Sequence, residues 1–258
     1  MAHLMRGALA AAMALGLGVS MVHADDPTQV TIIVRPGDVP DEQNPRPNVG
    51  DAPTPELGSD SWQGPASGKS NYHVRYVADG DALTVLFGDK AANLKLSDIE
   101  SISYWTKQPL DTPAGRDWWI QIYTRMDGDD DQGSWYGLKF TNNYNEHTPT
   151  GDWVLHSTDN GMTFRLGNTV YSWDELLSAF GDELIEAISI QTDSGWDGFD
   201  GFVDGLTITL TDGSVGIVNF EGDYPASSVV PLPAAAWAGM ALLGGLGGKR
   251  VWRRRRRA

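Results

Sequence analysis

The feature that most constrains this chain is a period of two. Between residues 71 and 220, apolar side chains alternate with polar ones over many short runs. Tyr72, Val74 and Tyr76 alternate with His73 and Arg75, and Ile102 and Tyr104 with Ser101, Ser103 and Trp105. Trp118, Ile120 and Ile122 alternate with Trp119, Gln121 and Tyr123, and Tyr136, Leu138 and Phe140 with Trp135, Gly137 and Lys139. The cleanest case sets Leu206, Ile208 and Leu210 against Thr207, Thr209 and Thr211. Successive strand side chains point to opposite faces, so this spacing buries one face of a sheet and cannot bury a helix stripe. Further β-forming runs lie at 29–34, 83–87, 153–156, 163–166, 187–192 and 215–220.

One helix interrupts the strands. Ser172 and Glu175 make a capping box, and Trp173, Leu176, Leu177 and Phe180 form an apolar stripe ended by Gly181. Asp212-Gly213 is predicted to turn the last two strands into a hairpin, and Asn160-Gly161 the two before the helix. The expected fold class is all-β: a β-sandwich of the jelly-roll kind with one short helix, flanked by a signal peptide and a C-terminal transmembrane helix. The closing pattern, Gly198-Phe199-Asp200-Gly201-Phe202-Val203-Asp204 with a Thr-rich hairpin ending in Asn219-Phe220-Glu221, loosely resembles jelly-roll domains of exported bacterial surface proteins.

The two ends read as addresses. Arg6, an apolar run over 8–19 and Val22-His23-Ala24 have the layout of a secretory signal peptide cleaved after Ala24. At the other end, Val230-Pro231-Leu232-Pro233-Ala234 precedes an uncharged Gly/Ala-rich run, then Lys249-Arg250 and the arginines 253–257. The apolar run is at the lower limit of about 17 residues for a spanning helix. The arginines after it would stay in the cytoplasm and leave the preceding chain outside. This tail resembles the PEP-CTERM class of bacterial sorting signals, and its first five residues closely resemble the VPLPA subgroup. The resemblance implies an exosortase-type membrane transpeptidase as partner, transient anchoring in the membrane, and transfer to the cell surface or extracellular matrix. It covers 230–258 and says nothing of the domain in front. The expected organisation is a signal peptide at 1–24, a strand and Pro-rich linker at 25–66, a β-sandwich at 67–224 and the sorting signal at 225–258.

With both ends set aside, residues 25–229 hold 11 basic and 34 acidic side chains, a net charge of −23. A body this acidic repels nucleic acid and anionic lipid, which excludes both as partners. There is no cysteine, so an exported domain must be held by its core or by bound ions.

Candidate sites follow from residue type. Trp105, Trp119, Tyr123 and Trp135 are out of phase with the expected core and could line a second sheet face with Gln121, Arg125 and Lys139. Flat aromatics beside amide and cationic donors suit a sugar ring, so extracellular polysaccharide is the expected ligand; packing of these rings into the protein is the alternative. Asp127, Asp129 and Asp131 place alternate carboxylates in one loop that could hold calcium, and Asp193, Asp197, Asp200 and Asp204 form a second acidic, Gly-spaced group. His73, His147 and His156 have no zinc-ligand spacing, and no Gly-x-Ser-x-Gly elbow is present. The expected function is a non-enzymatic, carbohydrate-binding matrix protein. A structural or adhesive surface domain and a polysaccharide-active hydrolase are the alternatives. An open aromatic face favours sugar binding, a carboxylate pair there favours catalysis, and a filled face favours structure.

Overall fold

The computed structural model describes residues 19–21, 28–38, 45–50, 52–54, 57, 60–65, 70–75, 82–113, 115–126, 136–193, 196 and 199–222. In chain order the strands are β1 (Val19–Met21), β2 (Gln29–Val34), β3 (Arg46–Val49), β4 (Asp60–Gln63), β5 (Asn71–Arg75), β6 (Ile99–Lys107) and β7 (Trp119–Thr124). They continue as β8 (Lys139–Asn142), β9 (Trp153–Ser157), β10 (Phe164–Leu166), β11 (Thr169–Tyr171), β12 (Ile185–Gln191), β13 (Phe202–Leu210) and β14 (Val215–Phe220). Two short helices, α1 (Ala82–Phe87) and α2 (Trp173–Phe180), join them.

The strands form two sheets. In the first, β13 is flanked along one side by β6, which pairs onward with β9, and along the other by β14 and β4. β14 leads to β2 and β1, and β4 leads to β3. The second sheet runs β11-β10-β8-β7-β12-β5. Among the described residues β2 lies parallel to β14, and the other strand pairs are antiparallel. Antiparallel pairing with polar residues on alternate positions is what the period of two demands.

The core lies between the sheets. Ile32, Val34, Trp62, Val203, Ile208 and Phe220 of the first sheet meet Val74, Ile120, Ile122, Phe140, Ile188 and Ile190 of the second, all fully buried in one cluster. Each such side chain contributes about 1.5–3 kcal/mol relative to exposure, which is how the fold stands without a disulfide. The three most buried indoles that reach a carbonyl use it: Trp62 Nε1 donates to Glu221 O at 3.1 Å, Trp118 Nε1 to Gly201 O at 3.0 Å and Trp173 Nε1 to Glu100 O at 3.1 Å.

Helix α2 forms as its residues predict. Ser172 Oγ accepts from Glu175 N at 3.3 Å while Glu175 Oε2 accepts from Ser172 N at 2.9 Å, and Trp173 and Leu176 are buried in the common cluster. The turn at Asp212-Gly213 joins β13 to β14, with Gly213 at φ +84°.

Three local expectations are corrected. Residues 83–87 are helical, because Leu83, Leu86 and Phe87 fall at i, i+3 and i+4 and all reach the core. A five-residue apolar run has no period of its own to separate the two cases. Asn160-Gly161 is not a hairpin: β9 belongs to the first sheet and β10 to the second, so the chain crosses between layers there, capped by Gly161 at φ +82°. The hairpin forms one step later, where Gly167-Asn168 links β10 to β11. The Pro-rich segment read as linker supplies β3 and β4, and Trp62 within it is a core residue.

Strand β1 falls within the segment read as a signal peptide and pairs with β2 through Val19↔Ile32. Cleavage after Ala24 would remove it and leave β2 at the sheet edge. Residues 223–258, with the sorting motif and apolar run, lie outside the described residues. Among the described residues no helix is long and apolar enough to cross a membrane.

Candidate functional site

The outer face of the second sheet carries the first candidate. Antiparallel register sets Trp119 opposite Gln191, Gln121 opposite Ser189 and Thr141, and Tyr123 opposite Ala187. Trp119, Gln121 and Tyr123 point away from the core, yet they are only 7%, 9% and 6% exposed. Their cover is aromatic. Tyr144 stacks on Trp119 at 4.5 Å and 14°, Trp196 meets it edge-on at 5.2 Å, and Tyr136 meets Tyr123 edge-on at 4.9 Å. The amides beneath are largely used internally: Gln121 Nε2 donates to Thr141 Oγ1 at 2.7 Å, and Gln121 Oε1 accepts from Tyr123 OH at 2.5 Å and from Gln191 Nε2. Burial pushes the Tyr123 phenol up, so it remains a donor. Trp119 Nε1 is buried without a hydrogen-bond partner.

The remaining residues of that candidate lie elsewhere. Trp105, on β6, belongs to the first sheet and packs with Trp153 against Ala52, Leu57 and Ile217, so it does not join Trp119 and Tyr123. Trp135 lies outside the described residues. Arg125 donates to the carbonyls of Ile185, Ala92 and Ala91 at 3.1, 2.6 and 2.9 Å, which makes it a strap between elements. Lys139 is exposed.

Asp127, Asp129, Asp131 and Asp197 also lie outside the described residues. The other Gly-spaced acids do not converge. Asp200 pairs with Arg46 at 2.7 Å, while Asp204 is buried and accepts from the backbone N–H groups of Gly205, Ala52 and Phe220 at 2.8, 3.2 and 3.4 Å. Burial pushes the Asp204 carboxyl up to about 8, those N–H donors pull it down, and the neighbouring Glu221 pushes it up again.

A third constellation escaped sequence reasoning. Asp117, just before β7, meets His147 from the loop after β8 and His156 from β9. Asp117 Oδ2 lies 2.7 Å from His147 Nδ1 and 3.6 Å from His156 Nε2, and the two imidazoles stack at 3.7 Å and 13°. Thr106 Oγ1 donates to Asp117 Oδ2 at 2.9 Å and lies 2.8 Å from His156 Nε2, while Asp117 Oδ1 accepts from Trp118 N at 2.8 Å. Asp117 is 1% exposed. Burial, and then the neighbouring His147, push His156 down to about 3, so its ring is a neutral imidazole. Tyr104, fully buried beside it, donates to Trp118 O and accepts from Asn142 Nδ2, with burial raising its phenol well above the usual range. Nothing in local spacing could have found this group, since its members come together only through the β6–β9 pairing and the approach of β7.

The fold and its sites define a two-sheet β-sandwich with a filled outer face and a carboxylate–imidazole cluster at the β6–β9 side. No protein-family model matches the chain, and no curated protein or solved structure matches it either.

Proposed function

We propose that the protein is an exported, surface-sorted and non-enzymatic β-sandwich that serves as a structural or adhesive unit of the extracellular matrix. The address comes from the Val230-Pro231-Leu232-Pro233-Ala234 tail, with its apolar run and arginines acting as the substrate of an exosortase-type transpeptidase and as a transient membrane anchor. The finer fold is a jelly roll, a reading supported by the way the chain passes repeatedly between layers: β5 in the second sheet, β6 in the first, β7 and β8 in the second, β9 in the first.

The observation that carries the role is the filled face. A sugar platform needs flat rings open to solvent with hydrogen-bonding groups free beside them. Here Trp119 and Tyr123 lie under Tyr144, Trp196 and Tyr136, and Gln121 has its partners inside the protein. A second reading, polysaccharide binding, has one specific support. Tyr136, Tyr144 and Trp196 are half-buried, and the unpartnered Trp119 N–H lies beneath two of them. A glycan array of the full chain, run with calcium and again with chelator, separates the two. The structural reading expects a blank array in both. Reproducible hits abolished by Trp196→Ala or Tyr144→Ala would replace it with a binding module, and hits lost in chelator would bring in the 127–131 loop.

A further inference from the structure

We propose that Asp117, His147 and His156 form a site for a divalent transition-metal ion of the zinc class, with Asp117 Oδ2, His147 Nδ1 and His156 Nε2 as its ligands. Three ligand atoms from three separate parts of the chain lie within 4.8 Å of one another. Bonds of about 2.0–2.1 Å in a tetrahedral arrangement put neighbouring ligand atoms about 3.3 Å apart. The separations of 2.7 and 3.6 Å from Asp117 Oδ2 lie on either side of that value, and because the two rings stack nearly parallel, one imidazole must swing out of the stack to turn its nitrogen lone pair onto the ion.

The surroundings have the features of a prepared site. The carboxylate is anchored through its other oxygen by Trp118 N and accepts from the Thr106 hydroxyl, as a ligating carboxylate does from an orienting residue, while the Thr106 contact to His156 Nε2 gives way to the ion. Two further oxygens lack partners. Gln108 Oε1 and Asn143 Oδ1 are buried and unbonded, on residues that are 4% and 6% exposed. Gln108 lines the small cavity of about 10 Å³ with Asp117, His147 and His156, and Asn143 lines a cleft of about 170 Å³ that the two histidines also line. Buried acceptors are ordinarily satisfied, and a metal-bound water is a donor that one of them could use.

The donor set chooses the ion. Two imidazoles and one carboxylate suit first-row transition ions, whereas calcium prefers an all-oxygen shell. Three protein ligands also leave one position for water beside the cleft. This is independent of the 127–131 acidic loop.

The test uses the full chain, stripped with chelator and titrated with Zn²⁺ and with Co²⁺ at constant pH. The expected result is one tight ion per chain, not displaced by calcium, with a visible Co²⁺ absorption band reporting the nitrogen ligands. His147→Gln and His156→Gln should each lose the band and more than about 100-fold in affinity, while Thr106→Val should keep the band and lose about 10–100-fold. His147 sits in a loop, so its variant decides the matter if His156→Gln does not fold. Absence of tight Zn²⁺ binding, or binding and a Co²⁺ spectrum unchanged in His147→Gln, would overturn the proposal and leave the cluster a hydrogen-bonded network.

Discussion

Trp119→Ala distinguishes a ring that packs from a ring that waits for a ligand. Replacing a buried Trp by Ala costs about 3–5 kcal/mol through lost contacts and the cavity left behind. At 7% exposure, with Tyr144 stacked on it and Trp196 against its edge, Trp119 belongs in that range. One feature lowers the figure. The substitution also removes an indole N–H that has no partner, and such a group costs about 1–3 kcal/mol when buried. The net loss expected is therefore about 2 kcal/mol. A domain of this size shifts by about 2–4 °C per kcal/mol, which puts the fall in Tm at about 4–8 °C. Trp119→Phe should differ in kind. It keeps a ring against Tyr144 and discards the orphaned donor, so it should stay within about 1 kcal/mol of wild type. Urea unfolding followed by circular dichroism reads both. A Trp119→Ala variant within about 1 kcal/mol of wild type would refute the filled-face argument and restore the ring to the surface.

Two further outcomes are expected. Asp204 holds its proton in the fold up to about 8, well above the ordinary carboxylate value, so its contribution is present in acid and lost as pH rises through 8. Tm should fall from pH 5 to pH 9 more steeply in wild type than in Asp204→Asn, and parallel profiles would show that the carboxyl is ionised in the fold. Gly205→Ala should destabilise by at least about 2 kcal/mol, because the residue sits at φ +55° and a Cβ would lie 2.5 Å from Leu57 Cδ1; an unfolding midpoint unchanged in urea would contradict that.

The layers of this protein were readable wherever the alternation was strict. Leu206, Ile208 and Leu210 and Trp118, Ile120 and Ile122 each carry a complete pattern; the first three lie in β13, and the second three are the residue before β7 and two of its core positions. The capping box at Ser172 announced α2 because both its partners lie within one turn. Where the determinant was distant, sequence was silent. Trp62 looked like part of a Pro-rich tether, and only its packing on Phe220 and its bond to Glu221 O make it core. Trp119 and Tyr123 were correctly placed off the core face, but their burial depends on Tyr144, Trp196 and Tyr136, none of which is a strand neighbour of theirs. His147 and His156 have no ligand spacing between them, and Asp117 precedes them by a whole strand and more, so their meeting is a product of topology alone.

The most direct test of surface sorting is fractionation of a host that carries an exosortase, comparing wild type with a chain whose Pro231 and Pro233 are both Ala. The account predicts wild type shortened at its C-terminus and recovered from the cell surface or matrix, with the double variant at full length in the membrane fraction. Identical length and location for the two chains would contradict it.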